Sequence, residues 1–123
     1  MLTVRTRVAP SSIHGLGVFA DEDVAEGAEI WRFEPGLDLL LPRERLAELP
    51  PAGQFFMAMY SYESVDFPDR VVLSGDHARF LNHSDDPNTA IGHLVTLARR
   101  PILAGEEITC DYGAFCVGWT GFD

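Results

Sequence analysis

Residues 79–88 of this chain read RFLNHSDDPN and join two apolar side chains to a run of turn-forming polar ones. Asn82 and Ser84 favour local bends because their side chains hydrogen-bond to nearby main-chain groups. A bend beside apolar Phe80 and Leu81 is suited to a backbone that presents its own donors and acceptors to a ligand. The alternative is a purely structural turn with Asn82 in a left-handed conformation.

A second segment, residues 105–113, reads GEEITCDYG and places a tyrosine at the expected end of a strand. Tyr112 is suited to hold its hydroxyl at the edge of a site and orient a reacting group. Its ordinary pKa of about 10 makes it a poor general base at neutral pH. The alternative is a tyrosine that only packs against its neighbours. We interpret Glu106 and Glu107 as a structural charge pair on a turn, without a general-acid role.

The third motif is Gly15-Leu16-Gly17, within the segment IHGLGVFA of residues 13–20. Glycine has no side chain, so main-chain groups approach a ligand closely at such positions. A Gly-x-Gly pair taken alone also fits a simple tight turn. The motif therefore gains its weight from the other two segments. His14 is expected to be a surface turn residue.

Short strands separated by Gly and Pro must position these motifs. The predicted strands cover residues 2–8, 18–20, 29–33, 70–73, 94–98 and 108–110, the first two forming a bent hairpin. A short helix is predicted over residues 42–49, ended by the two following prolines, and a helical turn over 78–81. Residues 54–62 fit a helical stripe and the start of a strand equally well. The pattern predicts a mostly β domain.

Length and charge limit the kinds of partner. We expect a single domain, residues 1–123, because 123 residues with 46% hydrophobic content suffice for one modest core. The formal net charge of −10 favours a basic, lysine-containing peptide and disfavours direct nucleic acid binding. A charge that merely keeps the protein soluble is the alternative. No segment approaches the roughly 18 to 20 apolar residues of a membrane span, so no membrane partner is expected.

The two cysteines, Cys110 and Cys116, lack a Cys-x-x-Cys spacing and are too few for a four-ligand zinc site. Free thiols in a reducing compartment are the simplest interpretation. We therefore expect a cytoplasmic protein, or a nuclear one if its source is eukaryotic or viral.

The three motifs and their order along the chain resemble the SET-domain family of protein lysine methyltransferases. The resemblance spans nearly the whole chain. It implies a β-clip fold of small curled sheets, with a knot-like C-terminal segment and one or two short helices. It also implies an enzyme that moves a methyl group from S-adenosyl-L-methionine to the ε-amine of a lysine in a protein substrate. A homodimer is a further expectation, by analogy with compact members of the family.

The family's site residues carry over to matching positions of this chain. The resemblance assigns contact with the methyl donor to Gly15, Leu16, Gly17, Asn82, His83 and Tyr112. It assigns the catalytic role to Tyr112, whose hydroxyl orients the neutral amine for in-line attack. The expected lysine channel is lined by Tyr60, Tyr62, Ile91 and Cys110. Packing in the core is the alternative for Tyr60 and Tyr62.

The chain departs from the family pattern in two places. Longer members append a three-cysteine zinc segment after the catalytic tyrosine, and here only Cys116 follows it. We expect the short aromatic tail, residues 113–123, to close the cofactor pocket through Phe115 and Trp119, with Phe122 as a further candidate. Frayed terminal residues are the alternative. Many members also carry an aromatic residue two positions before the tyrosine, and Cys110 there predicts room for di- or trimethylation.

Two other functions are compatible with the residues. The first is a SET-type module that binds a basic peptide or the cofactor without turnover. Leu16 and Cys110, where related enzymes often carry aromatics, favour it, and the intact Tyr112 argues against it. The second is a metal-dependent hydrolase built on the histidines. No His-Glu-x-x-His pair or helical i, i+4 spacing supports it, so we expect no metal site.

Overall fold

The computed structural model describes residues 1–118, which fold mainly as short strands. In this part of the chain the strands are β1 Thr6–Pro10, β2 Leu16–Ala20, β3 Glu29–Arg32, β4 Leu39–Pro42, β5 Tyr62–Glu63, β6 Arg70–Leu73, β7 Asn82–His83, β8 Thr89–Gly92, β9 Val95–Ala98 and β10 Glu107–Cys110. The helical elements are α1 Pro51–Tyr60 and 3₁₀ segments at Arg43–Glu48, His77–Phe80 and Tyr112–Ala114. No helix among these residues is long and apolar enough to cross a bilayer.

The strands form three small sheets with the orders β1-β2-β10-β7, β3-β9-β8 and β4-β6-β5. In the first sheet β10 is antiparallel to β2 and parallel to β7. The parallel pair aligns Thr109 with Asn82 and Cys110 with His83. A parallel pair cannot be closed by a short hairpin turn, so this contact joins segments distant in sequence. Strand β10 thus brings all three sequence motifs into one sheet.

The hydrophobic core lies where this sheet meets the β3-β9-β8 sheet. Its buried members are Val18, Ala20, Val24, Ile30, Ala98, Ile102 and Ile108. The isoleucines are fully buried, and burying such a side chain stabilises the fold by about 1.5–3 kcal/mol each. The strands that carry the motifs therefore rest on a packed apolar layer.

Asn88 extends the first sheet beyond the short strand β7. Its side-chain oxygen accepts the main-chain N–H of Thr109 at 2.9 Å, and its side-chain nitrogen donates to the main-chain oxygen of Glu107 at 2.8 Å. These bonds replace those a neighbouring strand would make with β10. The buried amide of Asn88 is therefore a structural part of the RFLNHSDDPN segment.

The predicted hairpin and the strands near residues 29–33, 70–73, 94–98 and 108–110 are confirmed within a few residues. The helix predicted over residues 42–49 is the 3₁₀ segment Arg43–Glu48, which ends before the two prolines as predicted, whereas the start of α1 at Pro51 was not predicted. Proline suits the first helical turn, where its missing N–H costs no hydrogen bond. The undecided segment is helix as far as Tyr60 and strand from Tyr62. Strands β4, β7 and β8 were not predicted, and Asn82 and His83 lie in β7 where a bend was predicted.

Candidate functional site

The side chain of Asn82 holds the first motif against the third. Its Nδ2 donates to the main-chain oxygens of His14 at 3.0 Å and Leu16 at 3.1 Å, and to Glu107 Oε2 at 3.0 Å. All three neighbours are acceptors, so the amide nitrogen must face them and Oδ1 must point elsewhere. Oδ1 accepts no hydrogen bond from residues 1–118. It is therefore an acceptor available to a ligand.

Glu107 is a site residue that the sequence interpretation missed. It lies in β10 and not on a turn, and both of its carboxylate oxygens accept from Ser11 Oγ, at 2.7 and 2.9 Å. The same carboxylate accepts from Asn82, whereas neighbouring Glu106 is exposed. Only its place at the start of an otherwise uncharged strand hinted at this role.

Gly17 leaves the space that the Glu107 carboxylate occupies. A Cβ at this position would lie 2.4 Å from Glu107 Oε2 and 3.0 Å from the Ser11 Cβ. Both distances are shorter than a van der Waals contact. The requirement for glycine here is a close approach between two segments of the protein, whereas the Gly-x-Gly pattern predicted a close approach of the main chain to a ligand.

We expect Gly17→Ala to weaken binding of the methyl donor about 10-fold, because the new methyl group displaces Glu107 from Ser11 and Asn82. Titration calorimetry with S-adenosylmethionine measures the effect. Gly15→Ala is the comparison: Gly15 has φ +46° and an added Cβ would meet nothing within 4 Å. That change strains the backbone by about 1–2 kcal/mol but leaves Glu107 in place. An equal loss of affinity in both variants would argue against the steric explanation.

His83 connects the first motif to the candidate catalytic residue. Its buried ring accepts the main-chain N–H of Tyr112 at Nδ1, at 3.0 Å. The other ring nitrogen, Nε2, lies 2.8 Å from Asp85 Oδ1. A neutral ring protonated at Nε2 satisfies both contacts, because Nδ1 then accepts while Nε2 donates. His83 thereby fixes the backbone that carries Tyr112.

The phenol of Tyr112 points toward the first motif. Its hydroxyl donates to the main-chain oxygen of Leu81, and its ring centroid lies 5.5 Å from that of His83. Burial raises the pKa of Tyr112 above its ordinary value, and nearby Cys110 and Cys116 raise it further. A raised pKa favours the neutral phenol, so Tyr112 is a hydrogen-bonding group and not a base at neutral pH.

A cavity of about 140 Å³ opens beside this phenol. Its lining includes every residue predicted for the lysine channel, namely Tyr60, Tyr62, Ile91 and Cys110. Phe115 also lines the cavity, with its ring edge-on to Tyr62 at 5.1 Å and to Tyr112 at 5.9 Å. Tyr112 thus stands between the cavity and the group formed by Gly15, Leu16, Gly17, Asn82 and His83, none of which lines the cavity.

Many of the other lining residues were not predicted, among them Trp31, Cys116 and Asp66. Trp31 contributes an indole whose Nε1 is buried and has no hydrogen-bond partner in the described part of the chain. Cys116 is half-buried, and burial raises the pKa of its thiol to about 12, so the thiol stays protonated at neutral pH. The predicted contacts of Trp119 and Phe122 lie outside the described residues.

The histidines lie in separate environments. Among residues 1–118 no group of three or more His, Cys, Asp or Glu side chains is arranged to hold a metal ion. The described pairs are His77 with Thr6, His83 with Asp85, and His93 with Asp66.

A family model described as the SET domain matches residues 15–113. This chain belongs to the SET-domain family. It is 31% identical over 113 residues to human histone-lysine N-methyltransferase 2B, a match that covers 83% of this chain and 4% of that protein. It is 39% identical over 117 residues to the H3 lysine-36 specific histone-lysine N-methyltransferase of Candida glabrata, covering 85% and 16%. The chain therefore spans only a small part of these SET-domain relatives.

Solved structures share the fold. A humanized mutant of the Chaetomium thermophilum Polycomb Repressive Complex 2, bound to an inhibitor, superposes with a TM-score of 0.68 at 20% identity, over 94% of this chain and 16% of that one. An autoinhibited ctPRC2 bound to S-adenosylmethionine also gives 0.68, at 18% identity and the same coverage. The predicted fold class, small sheets with few short helices, is confirmed.

Proposed function

We propose that this SET domain transfers a methyl group from S-adenosyl-L-methionine to the ε-amine of a lysine in a protein substrate. The position of Tyr112 carries the proposal. Its hydroxyl is bonded to Leu81 beside the apolar cavity, and its main-chain N–H is bonded to His83. A single residue thus borders the two compartments that a donor and an acceptor would occupy.

The donor compartment suits a cationic, amino-acid-bearing ligand. When bound, S-adenosylmethionine supplies an electrophilic methyl group on a positively charged sulfur. The Asn82 Oδ1 atom, which accepts no bond from the described residues, is placed to accept from a ligand ammonium. Main-chain groups of the glycine segment add further donors and acceptors. The residues we propose for donor contact are Gly15, Leu16, Gly17, Asn82, His83, Tyr112, Phe115 and Trp119.

The cavity suits an uncharged amine. A lysine ammonium has an ordinary pKa of about 10.4, and removing its proton at neutral pH costs roughly 4 kcal/mol. Walls formed by Tyr60, Tyr62 and Ile91 disfavour the charged form because they exclude water, and the carboxylate of Asp66 in the same lining contacts His93 at 2.9 Å. The proton leaves to water before the transfer, since the neutral phenol of Tyr112 is a poor base.

The hydrogen bond from Tyr112 to Leu81 determines whether the phenol accepts a hydrogen bond from the amine or donates one to it. The hydroxyl hydrogen is committed to the main-chain oxygen of Leu81, so the phenol oxygen presents lone pairs to the cavity. It can accept an amine N–H and leave the nitrogen lone pair free for attack. A phenol that donated to the amine would block the nucleophile instead.

The negative charge of this chain and its SET-domain relatives support a protein substrate with a basic segment. The net charge of −10 attracts lysine-rich segments, and the two relatives described above are histone-lysine N-methyltransferases. We propose a basic, lysine-containing protein segment as substrate, encountered in the cytoplasm or, in a eukaryotic or viral source, the nucleus. Association of two copies belongs to the same proposal and is checked by sedimentation at assay concentration.

A transfer assay with labelled donor tests the function. The purified domain is incubated with tritiated S-adenosylmethionine and a histone mixture, and the label is assigned to lysine by mass spectrometry. Calorimetry with unlabelled donor is run in parallel. Binding and lysine labelling together support the proposal. Donor binding without lysine labelling would favour the non-catalytic module. The absence of both donor binding and labelling would overturn the proposal.

Cys110→Phe is expected to shift the products toward monomethyl-lysine. Cys110 is buried in the cavity wall, and a phenyl ring there fills space that the thiol leaves open. Mass spectrometry of a peptide at long incubation should show di- or trimethylation by the wild type and mainly monomethylation by the variant. Cys110→Ser keeps the volume and serves as control. A strictly monomethylating wild type would contradict the expectation.

A further inference from the structure

The Glu107 carboxylate lies between the two segments that form the donor compartment, the glycine segment and the segment around Asn82. Ser11, from the loop that leads into the glycine segment, donates to both of its oxygens, and Asn82, from β7, donates to one. Gly17 leaves the space between them. One side chain of β10 therefore holds both segments that form the donor compartment.

We propose that Glu107 is a positioning residue for the methyl donor, an inference that rests on the function proposed above. By accepting from Asn82 Nδ2 it helps to keep Oδ1 turned toward the donor's ammonium. By accepting from Ser11 it holds the loop that carries the main-chain oxygens of His14 and Leu16. Glu107 touches no reacting atom and acts through these neighbours.

Hydrogen bonds to a charged group are stronger than neutral ones, so both contacts give the unliganded site one arrangement. Without the carboxylate, Ser11 loses its partner and the Asn82 amide keeps only its bonds to the main-chain oxygens of His14 and Leu16, so other arrangements become populated. Apparent affinity then falls in proportion to the fraction of molecules in the competent arrangement. Donor affinity is therefore the quantity that depends on Glu107. The chemical step, once the donor is bound, depends on Tyr112.

Glu107→Ala tests the inference, with Glu106→Ala as the matched control at the exposed neighbouring position. We expect the Kd for S-adenosylmethionine to rise about 10- to 100-fold in Glu107→Ala and less than twofold in the control. The Kd for S-adenosylhomocysteine, which carries the same ammonium, should rise by the same factor. At saturating donor, kcat and the peptide KM should stay within about threefold of wild type.

An unchanged donor Kd in folded Glu107→Ala would overturn the inference. A fall in kcat together with a rise in the KM values for donor and peptide would also overturn it, because such a pattern indicates general damage to the fold. If that variant does not fold, Ser11→Ala takes its place: a donor Kd raised about threefold or more supports the inference, and an unchanged Kd overturns it. A wild type that binds no donor would instead refute the proposed function, so the two failures are distinguishable.

Discussion

Replacing Tyr112 by phenylalanine is expected to lower the rate of methyl transfer about 100-fold or more and to change the donor Kd by less than about threefold. The hydroxyl is the group that orients the amine, and misorientation of reacting atoms commonly costs about two orders of magnitude. The main-chain N–H of Tyr112 still reaches His83, so the donor compartment keeps its shape. Losing the bond to Leu81 should cost only about 1 kcal/mol of folding stability.

Single-turnover assays with tritiated donor measure this loss, and thermal unfolding checks the fold. Tyr62→Phe is the comparison, because Tyr62 is another half-buried phenol that lines the same cavity. Its hydroxyl makes no hydrogen bond within residues 1–118, so we expect a loss below about tenfold. Equal rates for wild type and Tyr112→Phe would remove Tyr112 from its proposed role.

Asn82→Asp should weaken donor binding about 100-fold or more. The change preserves the shape of the side chain and replaces its donating nitrogen by an oxygen. That oxygen would face the main-chain oxygens of His14 and Leu16 and the Glu107 carboxylate, at distances now near 3 Å. Acceptors without a shared hydrogen repel, so the side chain or the glycine loop must move.

Calorimetry with S-adenosylmethionine provides the measurement. Ser12→Asp adds the same charge at an exposed loop position and should change the Kd less than about threefold. Circular dichroism confirms that both variants fold. Wild-type affinity in a folded Asn82→Asp protein would show that the amide does not organise the donor compartment.

Local sequence patterns predicted the family and a set of residues that the fold brings together. The motifs around Asn82 and Tyr112 identified the SET family, which the family match confirms. The residues predicted for the lysine channel all line one cavity. Phe115, which we propose as a cofactor contact, packs edge-on between two tyrosines of the cavity wall, a position that the sequence did not predict. Backbone propensity constrains a tail of this kind weakly, and packing decides where its aromatic ring lies.

Helix boundaries and buried charges were harder to predict. Pro50 and Pro51 were interpreted as the end of one helix, although Pro51 begins another, because proline is compatible with both positions. Glu107 was interpreted as part of a structural charge pair on a turn, whereas it lies in β10. Its partners Ser11 and Asn82 are remote in sequence, so no local pattern reports them.

The sequence by itself determined the family, the hairpin and the residue types available for chemistry, because these depend on composition and short-range spacing. Only the tertiary structure decided that β10 lies between β2 and β7, and this placement brings Glu107 against Gly17 and Tyr112 against Leu81. The reason is physical. Strand pairing between distant segments is selected by the burial of a shared core, and that burial depends on the whole chain at once.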